Sequence, residues 1–127
     1  CGWCKVMDRN TFSDPKVAKL LNEEFYPVKF NAEQQQDVVF KGHTFKFISN
    51  GRNGYHQLAA SLLNNQLSYP TVVFLDEEFS MITPLAGYRK ADEFHKYLTY
   101  VSDEHYKKGQ NAWSEFEKTY KSPYLNN

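Results

Sequence analysis

Two cysteines occur in the 127 residues, Cys1 and Cys4, separated by Gly2 and Trp3. With no third thiol, neither a disulfide framework nor a four-thiolate zinc site is available, so the pair acts with itself or is completed by other residue types. A structural disulfide across so short a loop constrains the unfolded chain little, because the entropic gain grows with the residues enclosed. The spacing suits redox chemistry better. A helix starting at the first cysteine puts the second almost one turn on, within reach of disulfide closure. Cys1 would then stand at the helix N-terminus, where unpaired N–H groups and the macrodipole favour an anion by about 0.3–1 kcal/mol and lower the thiol pKa. Cys1 is therefore read as the nucleophile. Cys4, one turn inside, is read as the resolving thiol that attacks the mixed disulfide and releases product.

Metal ligation is the competing chemistry. It would take Cys1 and Cys4 together with ligands from His43, His56, His95 or His105, none of which has the paired histidine spacing of zinc fingers. The expectation is no metal and no cofactor beyond the redox-active Cys1–Cys4 disulfide itself.

The elements that must position the pair are also marked. Residues 5–9 read as a short continuation of the first helix, interrupted by Asn10, Thr11 and Ser13. Asp14 before Pro15 is a helix entry: the carboxylate can cap exposed N–H groups, and proline at the first helical position gives up no hydrogen bond. The helix is predicted to run to about Asn22, with Val17, Leu20 and Leu21 on one face and Lys16, Lys19 and Glu23 outside. Residues 25–30 are aromatic and contain valine, and read as a strand whose Pro27 puts it at an edge or start. Residues 37–49 read as a hairpin turning at Lys41-Gly42. Asn50, Gly51, Asn53 and Gly54 read as a loop, followed by a helix from Tyr55 to about Gln66. Residues 71–75 form a continuous branched and aromatic run of the buried-strand kind, and Asp76 to Glu78 turn it into an antiparallel partner over 81–88. Phe94, Leu98 and Val101 mark a helix from Ala91 to about Glu104, and Trp113, Phe116 and Tyr120 mark another.

The length suits one domain. Apolar residues make up 41% and aromatics 17%, too much burial potential for a disordered segment. No run approaches the roughly 18 apolar residues of a spanning helix. Fifteen basic residues balance fifteen acidic ones, leaving no charge surplus to hold a polyanion, so nucleic acid is not an expected partner. The sequence opens on a motif cysteine with no initiating Met, so the lack of a visible leader carries no information.

The order of a CxxC helix, a capped helix, a strand, a further helix, the Tyr69-Pro70-Thr71 strand, its hairpin partner and a final helix resembles the thioredoxin fold. More narrowly, Cys1-Gly2-Trp3-Cys4-Lys5, residues 11–17 (TFSDPKV) and residues 69–76 (YPTVVFLD) are similar to one thioredoxin-like branch. That branch includes the C-terminal domain of the transmembrane thiol-disulfide interchange protein. A CxxC alone is a weak pattern; the three segments in order are far more specific.

The resemblance implies an α/β, three-layer thioredoxin-like sandwich with a mixed central sheet, first strand or strands absent from this chain, an insertion over about residues 34–54 and a C-terminal helical extension over about 105–127. It implies that Pro70 is cis and faces the CxxC, with Tyr69 offering its backbone to substrate; the alternative is an ordinary trans proline opening a strand. Lys29 matches the strand lysine beneath the active site in thioredoxins, or is simply a solvated lysine. Trp3 replaces the usual proline, as a substrate contact or a packing residue. Gly2, Lys5 and Lys29 are read as modulating the pair. No general base is assigned for Cys4, since the acidic group of many thioredoxins lies upstream of the motif. The insertion and extension are expected either to face a substrate or partner or to extend the core.

The implied activity is thiol-disulfide oxidoreduction, reducing or isomerising protein disulfides, with protein thiols or disulfides as substrates and an upstream electron donor. The expected location is periplasmic or otherwise extracytoplasmic in a bacterium, with the cytoplasm as the alternative. Competing readings are a thioredoxin-like binding module with an inert disulfide, and a metallochaperone. A tenfold change in equilibrium follows only about 30 mV, so residue identity leaves the reaction direction open.

Overall fold

The computed structural model describes residues 1–124. In chain order the elements are α1 (Gly2–Met7), a π-helical turn (Asp8–Phe12), α2 (Pro15–Glu24), β1 (Val38–Phe40), β2 (His43–Phe45), β3 (Phe47–Asn50), β4 (Asn53–His56), α3 (Gln57–Leu62), β5 (Thr71–Leu75), β6 (Met81–Ala86), α4 (Ala91–Ser102), a 3-10 turn (His105–Lys108) and α5 (Ala112–Thr119). The α/β class expected from sequence is borne out. The elements fall into two groups, residues 1–27 with 88–124, and residues 28–87. Of the extension expected over 105–127, residues 125–127 lie outside the described residues.

The first group is helical. α2 starts where Asp14 and Pro15 predict, and one Asp14 carboxylate oxygen accepts the N–H groups of Lys16 (2.9 Å) and Val17 (3.1 Å). The same oxygen accepts the Tyr124 hydroxyl at 2.6 Å, with the Lys16 ammonium 5.3 Å from the Tyr124 ring centre. α4 presents Phe94, Leu98 and Val101 on one face, and Phe94 and Leu98 are fully buried, as are Met7 of α1 and Val17 of α2. In α5, Phe116 is buried, and Trp113 lies stacked on Tyr97 (4.8 Å) and edge-on to Tyr100 (4.9 Å).

Burial alone would raise the Asp14 carboxyl, but the hydrogen bonds from Tyr124, Val17 and Lys16, with the Lys16 charge, outweigh it and hold the group below its usual range. The ionised cap therefore contributes fully above about pH 3.9, the unperturbed Asp value, and its contribution is lost as pH falls through the lowered folded-state value. Asp14→Ala is expected to cost about 1–2 kcal/mol at neutral pH. Urea denaturation of the two proteins should show this gap at neutral pH and a smaller one in strong acid. An equal gap at both would mean that the charge contributes nothing.

The second group carries the strands, paired as three antiparallel two-stranded ladders, β1–β2, β3–β4 and β5–β6. The mixed central sheet implied by the resemblance is not formed among the described residues, where no parallel pairing joins the three ladders; the antiparallel pair expected from sequence is β5–β6, with a bulge at Phe74/Leu75. Residues 25–30 do not form the expected strand and lie outside every ladder. Pro27 supplies no N–H there, and Tyr26 and Val28 are 99% and 85% exposed, so neither ladder bonding nor burial of that face favours a strand.

The first hairpin turns as predicted at Lys41-Gly42, both at positive φ, as a two-residue type I′ turn requires. The expected loop at 50–54 is instead a second hairpin. Asn50 pairs with Asn53, and Gly51 (φ +63°) takes the first central position. Gly54 faces Phe47 so closely that a Cβ would lie 2.4 Å from its ring and 2.8 Å from the Ile48 carbonyl oxygen. α3 is shorter than expected, because Asn64 and Asn65 turn left-handed and stop it. Its entry is the fully buried His56, whose Nδ1 accepts the Leu58 N–H (3.2 Å), leaving Nε2–H to donate to the Gln36 carbonyl (2.9 Å).

Candidate active site

Cys1 and Cys4 are joined by a disulfide with their Cα atoms 5.3 Å apart. That separation follows from the helix. Cys1 is the N-cap of α1, its Sγ accepts the Cys4 backbone N–H at 3.2 Å, and its carbonyl accepts the Lys5 N–H at 3.4 Å. Cys1 is exposed and Cys4 half-buried. An N–H aimed at Sγ favours the thiolate over the thiol once the bond is reduced, and the thiolate is the reactive form. Gly2 and Lys5 lie on the exposed side of α1, and a Cβ at Gly2 would meet nothing within 4 Å, so no steric demand for glycine arises there.

Trp3 is 60% exposed, and its ring lies 5.3 Å from that of Tyr88, tilted by 45°. Tyr88 was not singled out from sequence. It is far from the motif along the chain, and only the tertiary structure brings the two rings together. The first helix also runs past residue 9, where the sequence suggested interruption. It continues as the π-helical turn, which turns the fully buried Thr11 inward so that its hydroxyl donates to the Arg89 carbonyl at 2.5 Å. Such turns recur at functional sites because they redirect side chains that a regular helix would not.

The other expected site residues stand in the second group. The Tyr69–Pro70 peptide bond is cis, and the Pro70 carbonyl accepts the Gly87 N–H at 2.8 Å. The Thr71 hydroxyl donates to the Ser68 carbonyl at 2.6 Å, which closes the bend before β5. Tyr69 is 40% exposed, and partial burial together with the Glu33 charge pushes its phenol up. Lys29 is exposed in the segment 25–30, so it is not the strand lysine expected.

The histidines are engaged elsewhere. His56 is held as described, His95 Nδ1 lies 3.0 Å from the Tyr120 hydroxyl, and His43 and His105 pack on aromatic rings. Among the described residues no three His, Cys, Asp or Glu side chains converge as metal ligands, and no helix is long and apolar enough to cross a membrane.

Among known proteins, this chain is 34% identical over 55 residues to the uncharacterized protein B0495.5 of Caenorhabditis elegans, a match covering 43% of this chain and 8% of that protein. It is 37% identical over 38 residues to human spermatogenesis-associated protein 20, covering 30% of this chain and 5% of that protein. Both relatives are thus many times longer than the segment they share with it. No solved structure matches. The profile of the family described as Thioredox_DsbH, protein of unknown function, DUF255, matches residues 1–122, taking in the cysteine pair, the capped helix and the Tyr69-Pro70 strand, and the chain belongs to that family.

Proposed function

We propose that this chain is a protein thiol-disulfide oxidoreductase. The observation that carries the reading is the Cys1–Cys4 disulfide at the start of α1, with the Cys4 N–H directed at the Cys1 sulfur. In the reduced protein the Cys1 thiolate attacks one sulfur of a substrate disulfide. That S–S bond breaks, a Cys1–substrate disulfide forms, and the displaced thiolate takes up a proton. Cys4, as thiolate, then attacks the Cys1 sulfur. The intramolecular disulfide closes and the second substrate thiol leaves, so two electrons and two protons have passed to substrate. A dithiol donor restores the reduced pair. The resemblance adds Trp3, Tyr69 and Pro70 as substrate contacts and Gly2 and Lys5 as residues that tune the pair. The narrower likeness to the C-terminal domain of the thiol-disulfide interchange protein belongs to the same reading, and with it an extracytoplasmic compartment, periplasmic in a bacterium. Membership of a thioredoxin-like family supports it.

Equilibration in glutathione buffers of graded ratio, with the disulfide quantified by alkylation and mass spectrometry, tests the proposal. The expected result is a reversible two-electron transition whose midpoint places the protein as reductant or oxidant. A disulfide that stays closed at every ratio would overturn the enzyme reading in favour of a binding module.

A further inference from the structure

We infer that Tyr88, with Trp3, forms a subsite for a large apolar side chain beside the cysteine of the substrate polypeptide, and that Thr11 is the residue that positions it. The inference rests on the oxidoreductase reading and adds what that reading lacks, a determinant of which disulfides are taken.

Trp3 lies between the two cysteines and keeps 60% of its surface in water while its ring rests against Tyr88 at 5.3 Å. An exposed indole between the two cysteines offers apolar surface with a polar N–H at its edge, the combination enriched where proteins bind one another. Aromatic rings gain most from tilted or offset contacts with further rings and apolar groups, and the exposed Trp3 ring beside the half-buried Tyr88 ring offers surface for such a contact.

The backbone that carries Tyr88 is held on its C-terminal side. The Arg89 carbonyl accepts the hydroxyl of the fully buried Thr11. The Arg89 guanidinium is held by Glu93 at 3.0 Å and lies 5.5 Å from the Tyr97 ring centre, and the next residue, Lys90, stands at the N-cap position of α4, where its carbonyl accepts the Phe94 N–H at 2.8 Å. Thr11 belongs to the π-helical turn that continues directly from the CxxC helix. The π-helical turn that continues the helix bearing Trp3 and the segment bearing Tyr88 are therefore tied by a hydrogen bond from the buried Thr11, and such a tie reduces the ordering cost of binding.

The test uses the full chain, reduced with dithiothreitol and desalted, in single turnovers with two disulfide peptides that differ only in Phe or Gly next to the cysteine. Wild type should favour the Phe peptide roughly tenfold, through the saturation constant rather than the limiting rate, as expected for one apolar contact. Tyr88→Ala should reduce the preference to about twofold or less while leaving the Gly peptide within about twofold of wild type, and Tyr88→Phe should keep it. Thr11→Val should shrink the preference and Thr11→Ser restore it. The rate with the Gly peptide reports whether each variant is folded.

A preference that survives Tyr88→Ala, equal rates for the two peptides in wild type, or an equal loss on both peptides in Tyr88→Ala overturns the subsite. Failure of wild type to exchange with either peptide or with glutathione disulfide overturns the oxidoreductase reading, and the subsite with it.

Discussion

Cys1→Ser is expected to lower the rate of disulfide exchange by on the order of a thousandfold, the scale on which removal of an enzyme's nucleophile acts. Cys4→Ser is expected to stop the cycle one step later, with protein accumulating as a mixed disulfide. The two outcomes differ because of where α1 puts the sulfurs. The Cys1 Sγ is at the helix entrance and faces the Cys4 N–H, while Cys4 is half-buried one turn on. Without Cys1, the remaining thiol lacks both exposure and the helix-terminal N–H. Without Cys4, the first attack is intact and no internal thiol resolves its product. Intact mass spectrometry after mixing each reduced variant with a peptide disulfide reads both: unmodified Cys1→Ser, and Cys4→Ser heavier by one peptide. Equal adduct formation on both variants would mean that the thiols are interchangeable and that the helix entrance confers nothing.

What could be read from sequence was what short-range chemistry decides. Asp14-Pro15 specifies its helix through a side chain that reaches N–H groups two and three residues on, so no tertiary information is needed. The turn at Lys41-Gly42 and the run 71–75 with its return strand are likewise local, and the face formed by Phe94, Leu98 and Val101 repeats at helical spacing. The second hairpin was missed because Asn50 to Gly54 combine residues that favour both loops and tight turns, and the choice between them is made by the close approach of Gly54 to Phe47 across the ladder. Residues 25–30 have strand composition, but composition records only that a side chain suits a pleated surface and says nothing of whether a partner is there.

The site divides in the same way. The cysteine pair and the sense of its helix were legible, because both follow from four consecutive residues. The π-helical turn was not, since Asn10, Thr11 and Ser13 look like a break, and the bond that Thr11 makes from it reaches a carbonyl far along the chain. Tyr88 had no sequence signal at all. It is one of nine tyrosines, and its place beside Trp3 is fixed by a buried threonine in another element.

That dependence of the site on its support leads to the second large effect, in stability. Phe94 is fully buried in the first turns of α4, and its ring meets Phe12 of the π-helical turn edge-on at 5.3 Å. Phe94→Ala is expected to cost about 3–5 kcal/mol, because it removes the transfer free energy of the ring and leaves a cavity that neighbouring helices fill only in part. Against the 5–15 kcal/mol total typical of a domain, this is a large fraction, and the thermal midpoint should fall by about 10–20 °C. Val39→Ala, at a position 70% exposed, is the control and should stay within about 0.5 kcal/mol of wild type. Phe94→Leu, which refills much of the volume, should lose far less and keep the peptide preference, since Phe12 stays supported and Thr11 keeps its hold on Arg89. Denaturant melts of the three variants decide the matter. If Phe94→Ala costs no more than Val39→Ala, α4 is not the platform on which the π-helical turn rests, and the buried anchor at Thr11 would have to hold the CxxC helix in register by itself.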